Sequence, residues 1–152
     1  MSESFNHADR ILAGRILGVD IGTKRVGIAI SDPLGNFAVG LETLEDYSRA
    51  QLLEKMAALC VQHDCHRIVF GLPKHMDGRE GPEAERVRKL ADSLLLLKPD
   101  LEIIFLDERL TSVMAHQTLR AQGIKASRNK GLVDQAAAKR ILQDYLDKQH
   151  FK

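Results

Sequence analysis

Between Arg15 and Leu44 the chain carries three apolar runs separated by two short polar turns. RILGVDI is followed by Gly22-Thr23-Lys24, RVGIAISD closes on Asp32-Pro33-Leu34-Gly35, and NFAVGLETL comes third. Apolar runs bounded by Gly, Pro and Asp predict strands, and turns this short predict an antiparallel meander. The period then changes. In SRAQLLEKMAALCVQHD the residues Leu52, Leu53, Met56, Leu59 and Cys60 recur at helical spacing, with Ser48 available as N-cap. HRIVFGL is a continuous apolar strand of the kind buried on both faces, and PKHMDGREG is a polar loop. PEAERVRKLADSLLLLKP predicts a helix that Pro82 opens and Pro99 stops. EIIFLDE predicts another buried strand, SVMAHQTLRAQG a helix closed by Gly123, IKASRNKG a basic loop, and LVDQAAAKRILQDYLDKQH a final helix. Residues 1–14 read as a flexible leader. A meander followed by strand–helix alternation predicts an α/β fold: one mixed sheet of five strands, flanked by helices, in a single domain over residues 15–152.

Composition narrows the function classes. The 152 residues suit one domain, and the apolar share of 44% and charged share of 28% are those of an ordinary globular protein. A net charge of +1 excludes recognition of nucleic acid by overall basicity, so any such site must rest on local clusters of Lys and Arg. The polar N-terminus does not read as a signal peptide, and no apolar run approaches the ~20 residues of a membrane span. These features predict a soluble, cytoplasmic chain without a membrane partner. Cys60 and Cys65 then read as reduced, partly buried thiols, since a zinc site would need a second ligand pair.

Four acids fall at the ends of apolar segments. Asp20 lies inside the first strand, Asp107 and Glu108 end the strand EIIFLDE, and Asp134 lies in the first turn of the last helix. A carboxylate in a buried strand is costly unless it is paired or binds a cation. Ends of neighbouring strands lie close together, so these acids can converge, and converging oxygen ligands suit Mg²⁺ or Mn²⁺. Two such ions would clamp the attacking and leaving oxygens of a phosphodiester. Side chains alternate along a strand, so only one of Asp107 and Glu108 reaches the metals while the strand lasts, and Glu108 is favoured. Gly22 lets the backbone approach a phosphate, with Thr23 and Lys24 as donors. Structural readings stand beside these: Asp134 as an acid favoured by the helix dipole, and Asp107 as an ion-pair partner of Arg109. Lys125, Arg128 and Lys130 form a basic cluster in the loop before the last helix, suited to phosphate contacts or simply to solvent. Gly71 and Pro73 read as shaping a loop near the strand ends, with Met76 to Gly78 a turn that contacts substrate or, the favoured reading, Met76 simply packing; the scattered histidines read as surface residues. Two Tyr, five Phe and no Trp make base stacking a poor mode of recognition.

GVDIGTKRVGIAISD, IVFGLPKHMDGREGPEAERVR, LDERLTS and NKGLVDQAAAKRIL together resemble the YqgF/RuvX family, over Ile16 to Tyr145. That family is described both as pre-16S rRNA nucleases and as Holliday junction resolvases. The resemblance implies an RNase H-like fold and Mg²⁺- or Mn²⁺-dependent cleavage of phosphodiesters, with a role in trimming the 5′ end of pre-16S rRNA. It makes Asp20, Glu108 and Asp134 the metal-binding acids. Lys24 and Arg109 would then neutralise developing charge. The expected partner is nucleic acid, pre-rRNA ahead of a DNA junction, with the protein a monomer or weak homodimer. Competing readings are a Holliday junction resolvase, a non-catalytic factor that binds RNA, the ribosome or the transcription machinery, and an actin-like ATPase or sugar kinase. The last would need two such domains.

Overall fold

The computed structural model describes residues 14–108 and 130–150. Strands β1 (Arg15–Ile21), β2 (Arg25–Ser31) and β3 (Ala38–Glu45) come first. Helix α1 (Arg49–Gln62), strand β4 (Cys65–Leu72), helix α2 (Pro82–Leu97), strand β5 (Glu102–Asp107) and helix α3 (Lys130–His150) follow. The strands form one sheet in the order β3-β2-β1-β4-β5. The β1–β2 and β2–β3 pairs are antiparallel, and the β1–β4 and β4–β5 pairs are parallel. The expected mixed five-stranded sheet is therefore observed. The leader to residue 13, the helix expected over 112–123 and the basic loop to residue 129 lie outside the described residues.

Alternation along each strand sorts the side chains between two cores. Leu17 and Val19 of β1 and Phe70 and Leu72 of β4 are buried with Leu52, Met56 and Leu59 of α1 and Val87, Leu90 and Leu94 of α2. Ala29 of β2, Val69 of β4 and Leu106 of β5 face the other way, against Ala137, Ala138, Ile141 and Leu142 of α3. Helix α3 lies close to the sheet because small residues meet there. A Cβ on Gly18 would stand 2.6 Å from Cβ of Leu142 and 3.1 Å from the Ala138 carbonyl oxygen. At the start of α1, Ser48 Oγ accepts from the Gln51 amide at 3.1 Å, and Gln51 Oε1 accepts from the Ser48 amide at 2.8 Å. The expected N-cap is thus half of a reciprocal capping box.

Three local expectations are corrected. β3 begins at Ala38 rather than Asn36, because the Asn36 and Phe37 amides donate to Asp32 Oδ1 at 2.8 and 2.7 Å. β5 is half-buried rather than buried: among the described residues it pairs with β4 alone and ends the sheet. The last helix begins at Lys130, ahead of the expected Leu132. Lys130 therefore opens the helix instead of lying in the loop. Asp134 falls beyond the first turn, which carries no acid, and its explanation by the helix dipole weakens accordingly.

Candidate active site at the carboxyl ends of the strands

Asp20 stands one residue from the end of β1, paired with Gly27 on β2, and is 5% exposed. Alternation places it with Gly18 on the α3 face. Glu108 directly follows β5 and is 3% exposed. It succeeds Ile104 and Leu106, which pack on the α3 side, and its carboxylate reaches the neighbourhood of Ile141. β4 runs between the two acids. Val19 pairs with Phe70, and Gly71 pairs with Leu106, so Gly71 is the β4 residue between Asp20 and Glu108. A Cβ on Gly71 would run into Oε1 of Glu108 and Cδ1 of Ile141. Two buried acids thus flank a position that has no side chain. Strands lie about 4.8 Å apart, which puts the β1 and β5 backbones roughly 10 Å from each other. Two carboxylate arms with a cation between them span such a gap.

Asp107 does not join them. It continues the Ile103 and Phe105 side of β5, which packs on the α2 core. Its Oδ2 lies 3.9 Å from Nζ of Lys74. The pleat is the reason: of Asp107 and Glu108, the two candidate metal ligands, it sets Asp107 on the α2 face and Glu108 on the α3 face. Asp134 is placed through its backbone. α3 runs antiparallel to β1 and β4: Arg67 Nη1 near the start of β4 donates to the Tyr145 hydroxyl at 3.2 Å, whereas Ala138 and Leu142 lie over Gly18. The amino-terminal turns of α3 therefore head toward the end of the sheet that carries Asp20. Residue 134 precedes Ala137 and Ala138 by one helical turn, on their stripe. The side chains of Asp134 and Lys130, and all of Arg109, Lys125 and Arg128, lie outside the described residues. Among the described residues no three Asp, Glu, His or Cys side chains gather into a metal site. The sheet places the buried Asp20 and Glu108 at its carboxyl end on the α3 face, with β4 between their strands.

The turn behind Asp20 is tied down on both sides. The Gly22 amide donates to the Arg25 carbonyl at 2.9 Å, and the Gly22 carbonyl accepts from Arg86 Nη2 at 2.9 Å. Gly22 is required by close approach, since a Cβ would stand 2.5 Å from the Arg25 oxygen. Its amide is engaged within the turn, which leaves Thr23 and Lys24 as the donors the sequence suggested for a phosphate. Thr23 and Lys24 are exposed beside it.

The loop after β4 is also internally bonded. The His75 amide donates to the Arg79 carbonyl at 2.9 Å and the Gly78 amide to the His75 carbonyl at 2.8 Å, with Gly78 at φ 94°. Met76 at its tip is 76% exposed, which removes the reading of Met76 as packing. Glu80 accepts from Arg88 Nε and Nη2 at 2.7 and 2.8 Å, and the guanidinium lies 4.7 Å over the Phe105 ring. Cys60 and Cys65 are both free thiols, pushed by burial up to about 11 and about 12. Sequence reasoning missed Arg86 and the spacing role of Gly71. A helix arginine gives no local signal of what it touches. A strand glycine between acids becomes legible only once strand order is known.

The RuvX family model, described as Holliday junction resolvase, matches residues 14–148. A Clostridium botulinum protein named "Putative pre-16S rRNA nuclease" is 44% identical over 133 residues, 88% of this chain and 96% of its own. A Halalkalibacterium halodurans protein of the same name is 44% identical over 140 residues, 91% and 99% of the two chains. Among solved structures, Thermus thermophilus RuvC in complex with a Holliday junction substrate is similar with TM-score 0.56 at 14% identity, over 90% of this chain and 96% of that one. The yeast mitochondrial Holliday junction resolvase follows with TM-score 0.51 at 12% identity, over 91% and 80%. At these identities the structural likeness speaks for the fold, which is the expected RNase H-like one. Matched along nearly its whole length, the chain belongs to the RuvX family.

Proposed function

We propose that the protein is a divalent-cation-dependent nuclease that hydrolyses phosphodiester bonds of precursor 16S rRNA at its 5′ end. The observation that carries this reading is the buried pair Asp20 and Glu108 on one face of the sheet, with Gly71 of the strand between them leaving room for the Glu108 carboxylate. Both carboxylates lie at the carboxyl ends of their strands, on the face that α3 covers. Their hard oxygen donors fit Mg²⁺ or Mn²⁺. Asp20 and Glu108, joined by Asp134 from α3, would hold it. Such a cation, when bound, supplies a lowered pKa for water and stabilisation of charge at phosphorus. Lys24, exposed behind Asp20, adds a positive charge toward the phosphate. Arg109, Lys125, Arg128 and Lys130 would hold the strand through its phosphates, more weakly at high salt. The relatives' name supports rRNA as substrate. The family description and the RuvC likeness support a four-way DNA junction as the second reading.

The experiment compares an end-labelled pre-16S rRNA fragment, an unrelated single-stranded RNA and a four-way DNA junction in Mg²⁺, Mn²⁺ and EDTA. The expected result is cleavage of the rRNA fragment with either cation and none in EDTA. Asp20→Asn should lower the rate by about a hundredfold or more. Cleavage of the junction alone would establish the second reading. Activity that survives EDTA would overturn both.

A further inference from the structure

Arg86 connects α2 to the turn that follows Asp20. Its Nη2 donates to the Gly22 carbonyl at 2.9 Å, across 64 residues of sequence. The Gly22–Thr23 peptide is trans, as are the other described peptides. In a planar trans peptide the carbonyl and the next N–H point in opposite directions. Arg86 draws the Gly22 carbonyl toward α2, and α2 packs on the face of the sheet opposite α3. The Thr23 N–H therefore points away from the Arg86 guanidinium. The preceding amide, that of Gly22, is already bonded to Arg25. Tyr47 lies close enough to Arg86 for the guanidinium charge to act on its phenol.

We propose that Arg86 is a positioning residue. By holding the Gly22 carbonyl it presents the Thr23 amide, with Lys24 next to it, as a preset donor for a non-bridging phosphate oxygen beside Asp20. The inference rests on the nuclease reading and deepens it, naming a backbone amide as a phosphate contact. A donor already fixed in place needs no ordering when the phosphate arrives. The planar guanidinium suits the task, because it keeps its direction while the lysine ammonium is a rotating point donor.

The test follows the Thr23 amide itself. Isotopically labelled wild type, Arg86→Ala, Arg86→Gln and Arg86→Lys are titrated with a short single-stranded RNA containing phosphorothioate linkages, in Mg²⁺, and observed by NMR. In the wild type the Thr23 amide proton should move downfield on binding. In the Ala and Gln variants it should not, and the Gly22 amide should exchange faster with solvent. Lys should restore part of both effects. On cleavable RNA, kcat of the Ala variant should fall about ten- to a hundredfold, with KM changed less than about twofold and the salt dependence of binding unchanged. A Thr23 amide that ignores RNA in the wild type would overturn the proposal. So would an Arg86→Ala variant whose salt slope drops by about one, because Arg86 would then touch a phosphate directly. If the wild type binds RNA without cutting it, the nuclease reading fails while the Thr23 signal still decides the role of Arg86.

Discussion

At Gly71, β4 gives up a side chain where the Glu108 carboxylate packs, and a methyl group there meets Glu108 Oε1 and Ile141 Cδ1. Gly71→Ala should cost about 1–3 kcal/mol of stability through overpacking and should lower cation-dependent cleavage further than that loss explains. Urea melts and a Mn²⁺-dependent assay read the two effects separately, and full activity in this variant would mean that the gap is not used. Asp107→Asn is the contrast. Its carboxylate faces Lys74 on the other side of the sheet, so cleavage should stay within about threefold of wild type. Asp32 shows a different use of a carboxylate. Burial alone would raise its pKa, but amides of Phe37, Asn36 and Leu34 donate to it and hold it below the usual aspartate range. A lowered folded pKa means that its contribution is complete above the unfolded value of about 3.9 and is lost as pH falls through the folded value. Asp32→Asn should flatten the decline of melting temperature between roughly pH 5 and pH 2, and an unchanged decline would contradict that assignment.

Individual elements differ in how much of them was legible. The first two strands of the meander, the Ser48 cap and the Pro82 helix start are written in neighbouring residues, and they stand where the pattern put them. Ser48→Ala should therefore destabilise the fold by about 1 kcal/mol, measured by denaturant unfolding, since it opens a capping box whose two bonds are both formed. No measurable loss would mean that the end of α1 frays without consequence. The edge position of β5 and the start of α3 depend on which elements pack beside them, so periodicity misjudged both. Alternation carried more of the candidate site: it separated Asp107 from Glu108 before any strand order was known. Gly22 was read as a phosphate contact because its sequence suits one. Only the observed turn reveals that its amide already serves Arg25. Arg86 could not be found at all, because its target lies 64 residues away.

On the scale of the molecule, the sheet order sets the site. β1 and β5 contribute the two acids, β4 lies between them with a glycine at the crossing point, and α3 runs its amino-terminal end toward the same edge. Helices α1 and α2 cover the other face, and α2 reaches round to both loops near the acids, through Arg86 to Gly22 and through Arg88 to Glu80. Among the described residues no helix is long and apolar enough to cross a membrane. The proposed nuclease requires Asp20 and Glu108 to share a cation, and titration calorimetry with Mn²⁺ examines this without reference to any substrate. Wild type and Asp107→Asn should bind Mn²⁺ alike, and Asp20→Asn and Glu108→Gln should each lose at least about tenfold in affinity. Equal Mn²⁺ affinity in all four proteins, or a loss confined to Asp107→Asn, would contradict it.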